Sequence, residues 1–212
     1  MSSAFSVEGI AAKYDRVARW YDWIEGIPDL LGLRKLRRRL LERASGRVLE
    51  IAVGTGKNLE FYPRGSQVVA LDLSREMLNV AQNRALKLPI QVSFLVADTE
   101  ALPFAPQSCD TIVSTLSSCT FPNPVTAFRE MARVSKPSGR ILLLEHGRSN
   151  RERLGRFQDR HAEQFAKPLG CHWNREPQQL VQEAGLKILD AQRFFFGILH
   201  VIQATPKEIP HN

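Results

Sequence analysis

The sequence predicts an α/β fold in which a mostly parallel sheet of seven strands carries helices on both faces. Past residue 46, short apolar runs alternate with stretches of helical periodicity, the pattern of a parallel sheet covered by helices. The last two apolar runs follow each other closely and indicate an antiparallel pair that closes the sheet. A chain of 212 residues with 43% apolar content suffices for one sizeable core, so a single domain over 1–212 is expected.

Each predicted element follows from its local pattern. The strands are expected at 47–52, 67–73, 91–97, 109–116, 140–145, 186–195 and 197–205. A helix over 74–86 begins behind Ser74 as its N-cap, and a helix over 124–134 ends before 136–139, which we expect to break the chain. The expected division is a helical part (7–44), a ligand-binding core (45–147), and an insertion with the closing strands (148–212).

The apolar runs are too short for a membrane span. The longest, 194–202, is interrupted by Gly197 and His200 and falls short of the roughly 18 to 20 residues that a bilayer requires. Residues 1–9 lack the basic start and apolar region of a signal peptide, so a cytoplasmic protein is expected.

The three cysteines are widely spaced in the sequence. Cys109, Cys119 and Cys171 include no CxxC pair, so neither a metal site nor a disulfide framework is predicted. We expect each of them to be a small buried side chain.

The net charge of +7 is concentrated in segment 30–43. Four leucines at three- and four-residue spacing predict an amphipathic helix whose other face is basic. The leucines are Leu33, Leu36, Leu40 and Leu41, and the cations are Arg34, Lys35, Arg37, Arg38, Arg39 and Arg43. This helix either packs on the domain with its cations in solvent or makes peripheral contact with an anionic membrane. Nucleic acid is not favoured, because no recognised binding motif accompanies the charge.

A glycine-rich turn lies between the first strand and the following segment. Gly54 and Gly56 would let a ligand approach the backbone closely, although a tight turn or a dinucleotide site shares this pattern. Leu59 stands where a dinucleotide fingerprint needs a third small residue, and Glu50 would repel a pyrophosphate. A nucleoside that carries a positive sulfonium and no phosphate suits this carboxylate better.

Two acidic residues follow the next two strands. Asp72 could accept both hydroxyls of a ribose, and its alternative role of capping the next helix is already filled by Ser74. Asp98 could accept the amino group of adenine, while Leu102 and Phe104 supply apolar surface.

These features, in this order, resemble the class I S-adenosylmethionine-dependent methyltransferases. The resemblance runs from about residue 14 to 147 and is most specific at 50–56, at Asp72, at 98–104 and at 128–134. It implies a Rossmann-like fold, methyl transfer and S-adenosyl-L-methionine as the cofactor. The chain departs from the family at Ala52, where glycine is usual, and at Ser138, where the family has the first of two glycines.

The resemblance also implies roles for individual residues. Gly54 and Gly56 would line the methionine moiety, Asp72 would hold the ribose, and the remaining residues would surround the adenine or the turn. The full cofactor set is Glu50, Ala52, Gly54, Gly56, Asn58, Asp72, Leu73, Met77, Asp98, Thr99, Tyr14 and Tyr21. Segment 14–22 looks like the lead helix of the quinone C-methyltransferase and phospholipid N-methyltransferase groups, in which a tyrosine closes over the cofactor. Packing in the core is the alternative for both tyrosines.

The acceptor side is expected beside the fifth strand. His146 follows that strand directly and could be the general base, although a structural histidine is the alternative. Segments 144–146 and 170–176 are similar to a group of small thiol S-methyltransferases, as is Cys119. This similarity implies a substrate side formed by Cys119, His146, Cys171 and His172.

The resemblance ranks a thiol first among small or lipid-like acceptors. Phospholipid amine N-methylation and quinone C-methylation are the alternatives. A hypothesis from another class is a non-catalytic protein that binds the cofactor or a lipid.

Overall fold

In the computed structural model, which describes residues 6–24 and 32–207, the chain forms a seven-stranded sheet. Its strands are β1 (Arg47–Ile51), β2 (Gln67–Asp72), β3 (Gln91–Val96), β4 (Cys109–Thr115), β5 (Ser135–His146), β6 (Leu186–Phe194) and β7 (Leu199–Pro206). The strand order is β3-β2-β1-β4-β5-β7-β6, with β7 antiparallel to both of its neighbours. The predicted fold class is therefore confirmed.

The helices of the described residues connect or cover these strands. They are α1 (Val7–Ile24), α2 (Arg34–Leu41), α3 (Arg75–Ala85), α4 (Pro124–Val134), α5 (Glu152–Leu169) and α6 (Pro177–Glu183). The predicted N-cap is confirmed, because the Ser74 hydroxyl accepts a hydrogen bond from the Met77 amide at 3.0 Å. None of the helices described is long and apolar enough to cross a membrane.

Alternate residues of the buried strands belong to two separate hydrophobic clusters, one on each face of the sheet. On one face, Val113, Leu142 and Leu144 belong to the same cluster as Leu40 of α2 and Leu78 of α3. On the other face, the strand residues Leu49, Leu71, Ile112, Ile141 and Leu143 share a cluster with Phe128 and Met131 of α4 and Val181 of α6. This alternation covers both faces of the sheet with apolar side chains. Because β1 to β5 run parallel, their carboxyl ends lie at one common edge, where ligands bind in folds of this kind.

The start of β5 differs from the prediction. Segment 136–139 was expected to break the chain, yet the strand already begins at Ser135, which pairs with Cys109. The register then shifts before Thr111 pairs with Arg140, so the segment forms an irregularity at the start of the strand. A Cβ on Gly139 would lie 2.5 Å from the Ser135 hydroxyl, so glycine is required in this tight conformation.

The basic segment forms a shorter helix than expected, since α2 covers Arg34–Leu41 and residues 25–31 lie outside the described part of the chain. Its four leucines are buried as predicted. The prediction that all its cations lie on the outer face is wrong, because Arg37 is buried with 4% exposure. Position 37 lies three residues before Leu40 and four before Leu41, which places it on the apolar face.

Candidate functional site

A cleft of about 860 Å³, its open mouth included, lies at the carboxyl ends of the parallel strands beneath α1. Nine of the residues predicted to bind the cofactor line it: Tyr14, Tyr21, Ala52, Gly54, Asp72, Leu73, Met77, Asp98 and Thr99. The fold therefore gathers residues from α1 and from three strand ends around one cavity.

Every second residue of the turn after β1, from 52 to 56, has a left-handed backbone conformation, and these three positions set the shape of the turn. Ala52, Gly54 and Gly56 have φ values of 49°, 56° and 78°. A Cβ added to Gly54 would meet no atom within 4 Å, so its backbone is open to a ligand. One added to Gly56 would lie 2.9 Å from the Leu59 side chain, so this glycine serves close packing. Ala52 adopts the left-handed conformation at a cost of about 1 to 2 kcal/mol.

Asp72 joins the turn to the start of α3. One carboxylate oxygen accepts the Gly54 amide at 2.8 Å and the other accepts the Ser74 amide at 2.9 Å. The side chain is 9% exposed, and burial raises its pKa to about 6. A carboxylate has about four lone-pair sites, so Asp72 retains acceptor capacity for ribose hydroxyls while it holds the turn.

Glu50 and Asn58 lie beneath the turn and are not among the residues that line the cleft. The Glu50 carboxylate accepts the Asn58 amide group at 2.8 Å and the Tyr62 hydroxyl at 2.9 Å. Burial raises the pKa of Glu50 to about 7, so the carboxyl carries only part of its charge at neutral pH. A direct contact of Glu50 with the cofactor stays a prediction. Its hydrogen bonds to Asn58 and Tyr62 stabilise the turn.

Arg37 is a site residue that the sequence interpretation missed. Its guanidinium donates to the Asn58 side-chain oxygen and to the Thr115 hydroxyl, both at 2.9 Å, and it lines the cleft. The cation thus connects α2, the turn after β1 and the end of β4. The helical spacing of Arg37 within the leucine pattern was the available signal.

Helix α1 is fixed over the cleft by its acidic residues. The Ser74 hydroxyl donates to Asp15 at 2.5 Å, and the Thr55 hydroxyl donates to Asp22 at 2.6 Å. Asp22 also forms an ion pair with Arg84 of α3. The rings of Tyr14 and Tyr21 lie 5.8 Å apart, edge to face, on the side of α1 that lines the cleft.

The predicted substrate-side residues converge next to this cleft without lining it. Ligand atoms of Cys119, His146 and Cys171 all lie within 4.8 Å of one another, and the Cys171 sulfur is 3.4 Å from His146 Nε2. The His172 amide donates to the Cys119 carbonyl at 2.9 Å. A hydrogen bond from the Cys119 thiol, together with nearby His146, lowers the pKa of Cys171.

The loop that carries Cys119 is held by two charged residues that the sequence did not identify as site residues. Buried Glu145 accepts the Ser114 hydroxyl at 2.7 Å and the Ser117 amide at 2.9 Å. Arg175 donates to the Phe121 carbonyl at 2.9 Å. Since Ser117 and Phe121 line the cleft, this loop separates the cavity from the cysteine cluster.

Known proteins are similar to this chain in sequence and in fold. Residues 49–143 match the family model described as a methyltransferase domain. A demethylmenaquinone methyltransferase of Renibacterium salmoninarum is 32% identical over 171 residues, 78% of this chain and 69% of the relative. The ubiquinone/menaquinone biosynthesis C-methyltransferase UbiE of Pseudomonas syringae is 33% identical over 177 residues, 77% of this chain and 68% of the relative.

A longer match covers only part of its relative. The mitochondrial methyltransferase OMS1 of Saccharomyces cerevisiae is 28% identical over 214 residues and matches 92% of this chain, which spans 45% of the yeast protein.

Solved structures share the fold at low sequence identity. An S-adenosylmethionine-dependent methyltransferase of Thermotoga maritima superposes with a TM-score of 0.70 at 21% identity, covering 93% of this chain and all of that one. Geranyl diphosphate C-methyltransferase of Streptomyces coelicolor, crystallised with S-adenosyl-L-homocysteine, gives 0.67 at 14% identity, covering 84% and 81%.

The chain belongs to the class I S-adenosylmethionine-dependent methyltransferases. It is a methyltransferase, and its cofactor is S-adenosylmethionine. The site fits this cofactor: Gly54 leaves room at the backbone, Asp72 presents a carboxylate, and Leu73 and Met77 offer apolar surface. The cofactor supplies an electrophilic methyl group, and the protein has to hold an acceptor in line with it.

Proposed function

We propose that this enzyme methylates a carbon of a small lipophilic quinol. The observation that carries the proposal is the apolar part of the cleft lining, which is formed by Ile10 and Ala11 of α1 and by Leu116, Phe121 and Pro122 after β4. Such a lining suits a flat, apolar ring and disfavours a highly charged acceptor. Relatives named as quinone methyltransferases, 32% to 33% identical, support the same acceptor class.

Methylation of a quinol carbon requires that a phenolic proton is lost. Glu100 lines the cleft, and burial raises the pKa of its carboxyl group, which suits a general base. Its carboxylate accepts the Asn123 amide at 2.5 Å, which holds it beside the loop after β4. We assign the candidate base role to Glu100 ahead of His146, because His146 does not line the cleft.

Replacement of Glu100 tests this assignment. Glu100→Gln keeps the shape and the hydrogen bond to Asn123 but removes the base, so we expect turnover with a demethylated menaquinol to fall about 100-fold, within the usual range for general base catalysis. Cofactor affinity, measured by calorimetry, should stay within about twofold. Unchanged turnover would remove Glu100 from the mechanism, and Glu183→Gln, on the exposed surface of α6, is the matched control.

A thiol is the second candidate acceptor. It is favoured by the convergence of Cys119, His146 and Cys171, the residues on which the similarity to thiol methyltransferases rests, beside a loop of the cleft. A thiol with a pKa near that of cysteine, about 8.5, loses its proton more easily than a phenol with a pKa of about 10, so it needs less help from a base.

A methyl-transfer panel distinguishes these functions. Purified enzyme and radiolabelled S-adenosylmethionine would be incubated with a demethylated menaquinol, a lipophilic alkyl thiol and a phosphatidylethanolamine vesicle. Quinol methylation well above the other two supports the proposal, and preferential thiol or amine methylation overturns it. Tight cofactor binding without transfer to any of the three would also overturn the quinol as the acceptor.

A further inference from the structure

The cluster of Cys119, His146 and Cys171 unites two thiols and an imidazole from three distant parts of the chain. Cys119 lies after β4, His146 is the last residue of β5, and Cys171 follows α5. The sequence predicts no metal site because these residues are far apart, yet the fold brings their ligand atoms within 4.8 Å of one another. The cluster stands outside the cofactor cleft, so the methyl-transfer site does not account for it.

The spacing of these atoms is close to that of a tetrahedral zinc site. With Zn–S of 2.3 Å and Zn–N of 2.0 to 2.1 Å, tetrahedral geometry separates neighbouring ligand atoms by about 3.5 to 3.8 Å. The distance of 3.4 Å between the Cys171 sulfur and His146 Nε2 matches this value. The remaining pairs lie within 4.8 Å, so side-chain adjustments of about an ångström would complete the geometry.

The chemistry of the three side chains also selects the class of ion. Thiolates prefer soft or borderline cations, and imidazole suits zinc, whereas magnesium and calcium prefer oxygen ligands. Both cysteines would bind Zn²⁺ as thiolates, with any remaining thiol proton released to solvent, and the neutral histidine would coordinate through Nε2. Two thiolates then balance the charge of the ion, while Glu145 and Arg175 lie near Cys119 with opposite charges.

We propose that Cys119, His146 and Cys171 form a binding site for a thiophilic divalent cation, with Zn²⁺ as its ordinary occupant. Cys119 is buried, whereas His146 and Cys171 are half-buried, so an ion can enter from the side of the latter two. Three protein ligands leave the fourth tetrahedral position for water or an external ligand. The ion would fasten the segment after α5 to the loop after β4, which forms one wall of the cleft.

Titration with Co²⁺ tests this proposal without any activity measurement. The full chain would be reduced, stripped with a chelator and titrated under anaerobic conditions. We expect one Co²⁺ per chain, with sulfur-to-cobalt charge-transfer absorption in the near ultraviolet and the visible bands of tetrahedral coordination, and displacement by Zn²⁺. Affinity should fall on acidification because protons compete for the ligands.

Two ligand variants and one matched control make the test specific. Cys171→Ser and His146→Asn should each weaken Co²⁺ binding at least tenfold, while Cys109→Ser, which changes a buried cysteine outside the cluster, should bind like the unchanged protein. Circular dichroism would verify that each variant is folded. Absence of the charge-transfer band, or its persistence in both ligand variants, would overturn the proposal. So would a Cys119–Cys171 disulfide formed with hydrogen peroxide in a reduced protein that takes up no Co²⁺.

Discussion

The two walls of the cleft are built in different ways. The cofactor wall comes from the ends of three neighbouring strands between residues 52 and 99, and it is tied together by short-range bonds such as that from Ser74 to Asp72. The acceptor wall depends on long-range contacts, since Glu145 and Arg175 fix a loop at 116–122. A cofactor can therefore be inferred from local motifs, whereas the acceptor depends on how distant segments pack.

Among these predictions, loss of Arg37, whose guanidinium joins the two walls, should have the largest effect on stability. Arg37→Ala would leave the side-chain oxygen of buried Asn58 without a charged donor and open a space beside Thr115. The unsatisfied acceptor and the cavity together should lower the free energy of unfolding by about 3 to 5 kcal/mol, measured with urea. Arg39→Ala, on the exposed face of α2, should cost less than about 0.5 kcal/mol. Equal effects of the two changes would show that Arg37 does not join the walls.

Buried Glu50, beneath the cofactor wall, should make the protein more stable at acidic pH than at neutral pH. The folded state raises the pKa of Glu50 from 4.5 to about 7, so between these values it binds more protons than the unfolded state. The contribution of Glu50 to stability therefore falls as pH rises from about 4.5 to 7, by up to about 3 kcal/mol. The difference in unfolding free energy between the wild type and Glu50→Gln should follow this course. A difference independent of pH would contradict the buried, protonated state.

Removal of the ribose acceptor tests the cofactor wall directly. Asp72→Ala should weaken S-adenosylmethionine binding by about 1.5 to 3 kcal/mol, roughly ten- to a hundredfold, because a charged acceptor of two hydroxyls is lost. Calorimetry provides the affinity, and Asp190→Ala on β6, far from the cleft, serves as the control. Affinity equal to that of the wild type would show that Asp72 only holds the turn.

The smallest expected effect concerns Ala52. Glycine would remove a left-handed strain of about 1 to 2 kcal/mol but would increase the entropy of the unfolded chain by about 0.5 to 1 kcal/mol. Ala52→Gly should therefore stabilise the protein by at most about 1.5 kcal/mol in urea unfolding and leave cofactor affinity intact. Gly54→Ala, at φ 56° and facing the cleft, should lower both stability and affinity.

The sequence predicted features that depend on neighbours along the chain. The strands, the Ser74 cap and the gathering of Gly54 and Asp72 around one cleft follow from local periodicity and from the rule that parallel strand ends meet. The start of β5 and the cysteine cluster could not be predicted in this way. Both depend on pairing partners more than 20 residues away, such as Cys109 for Ser135 and Cys171 for His146.

The position of β7 constrains the order in which the chain can fold during synthesis. Among the strands of the described residues this one comes latest in the chain, yet it occupies an interior place between β5 and β6. Until Pro206 has left the ribosome, the apolar edge of β5 from Ile141 to Leu144 has no partner on that side. The nascent protein consequently passes through a stage with an exposed sheet edge, which makes it a candidate client for chaperones and favours aggregation when synthesis is truncated before β7.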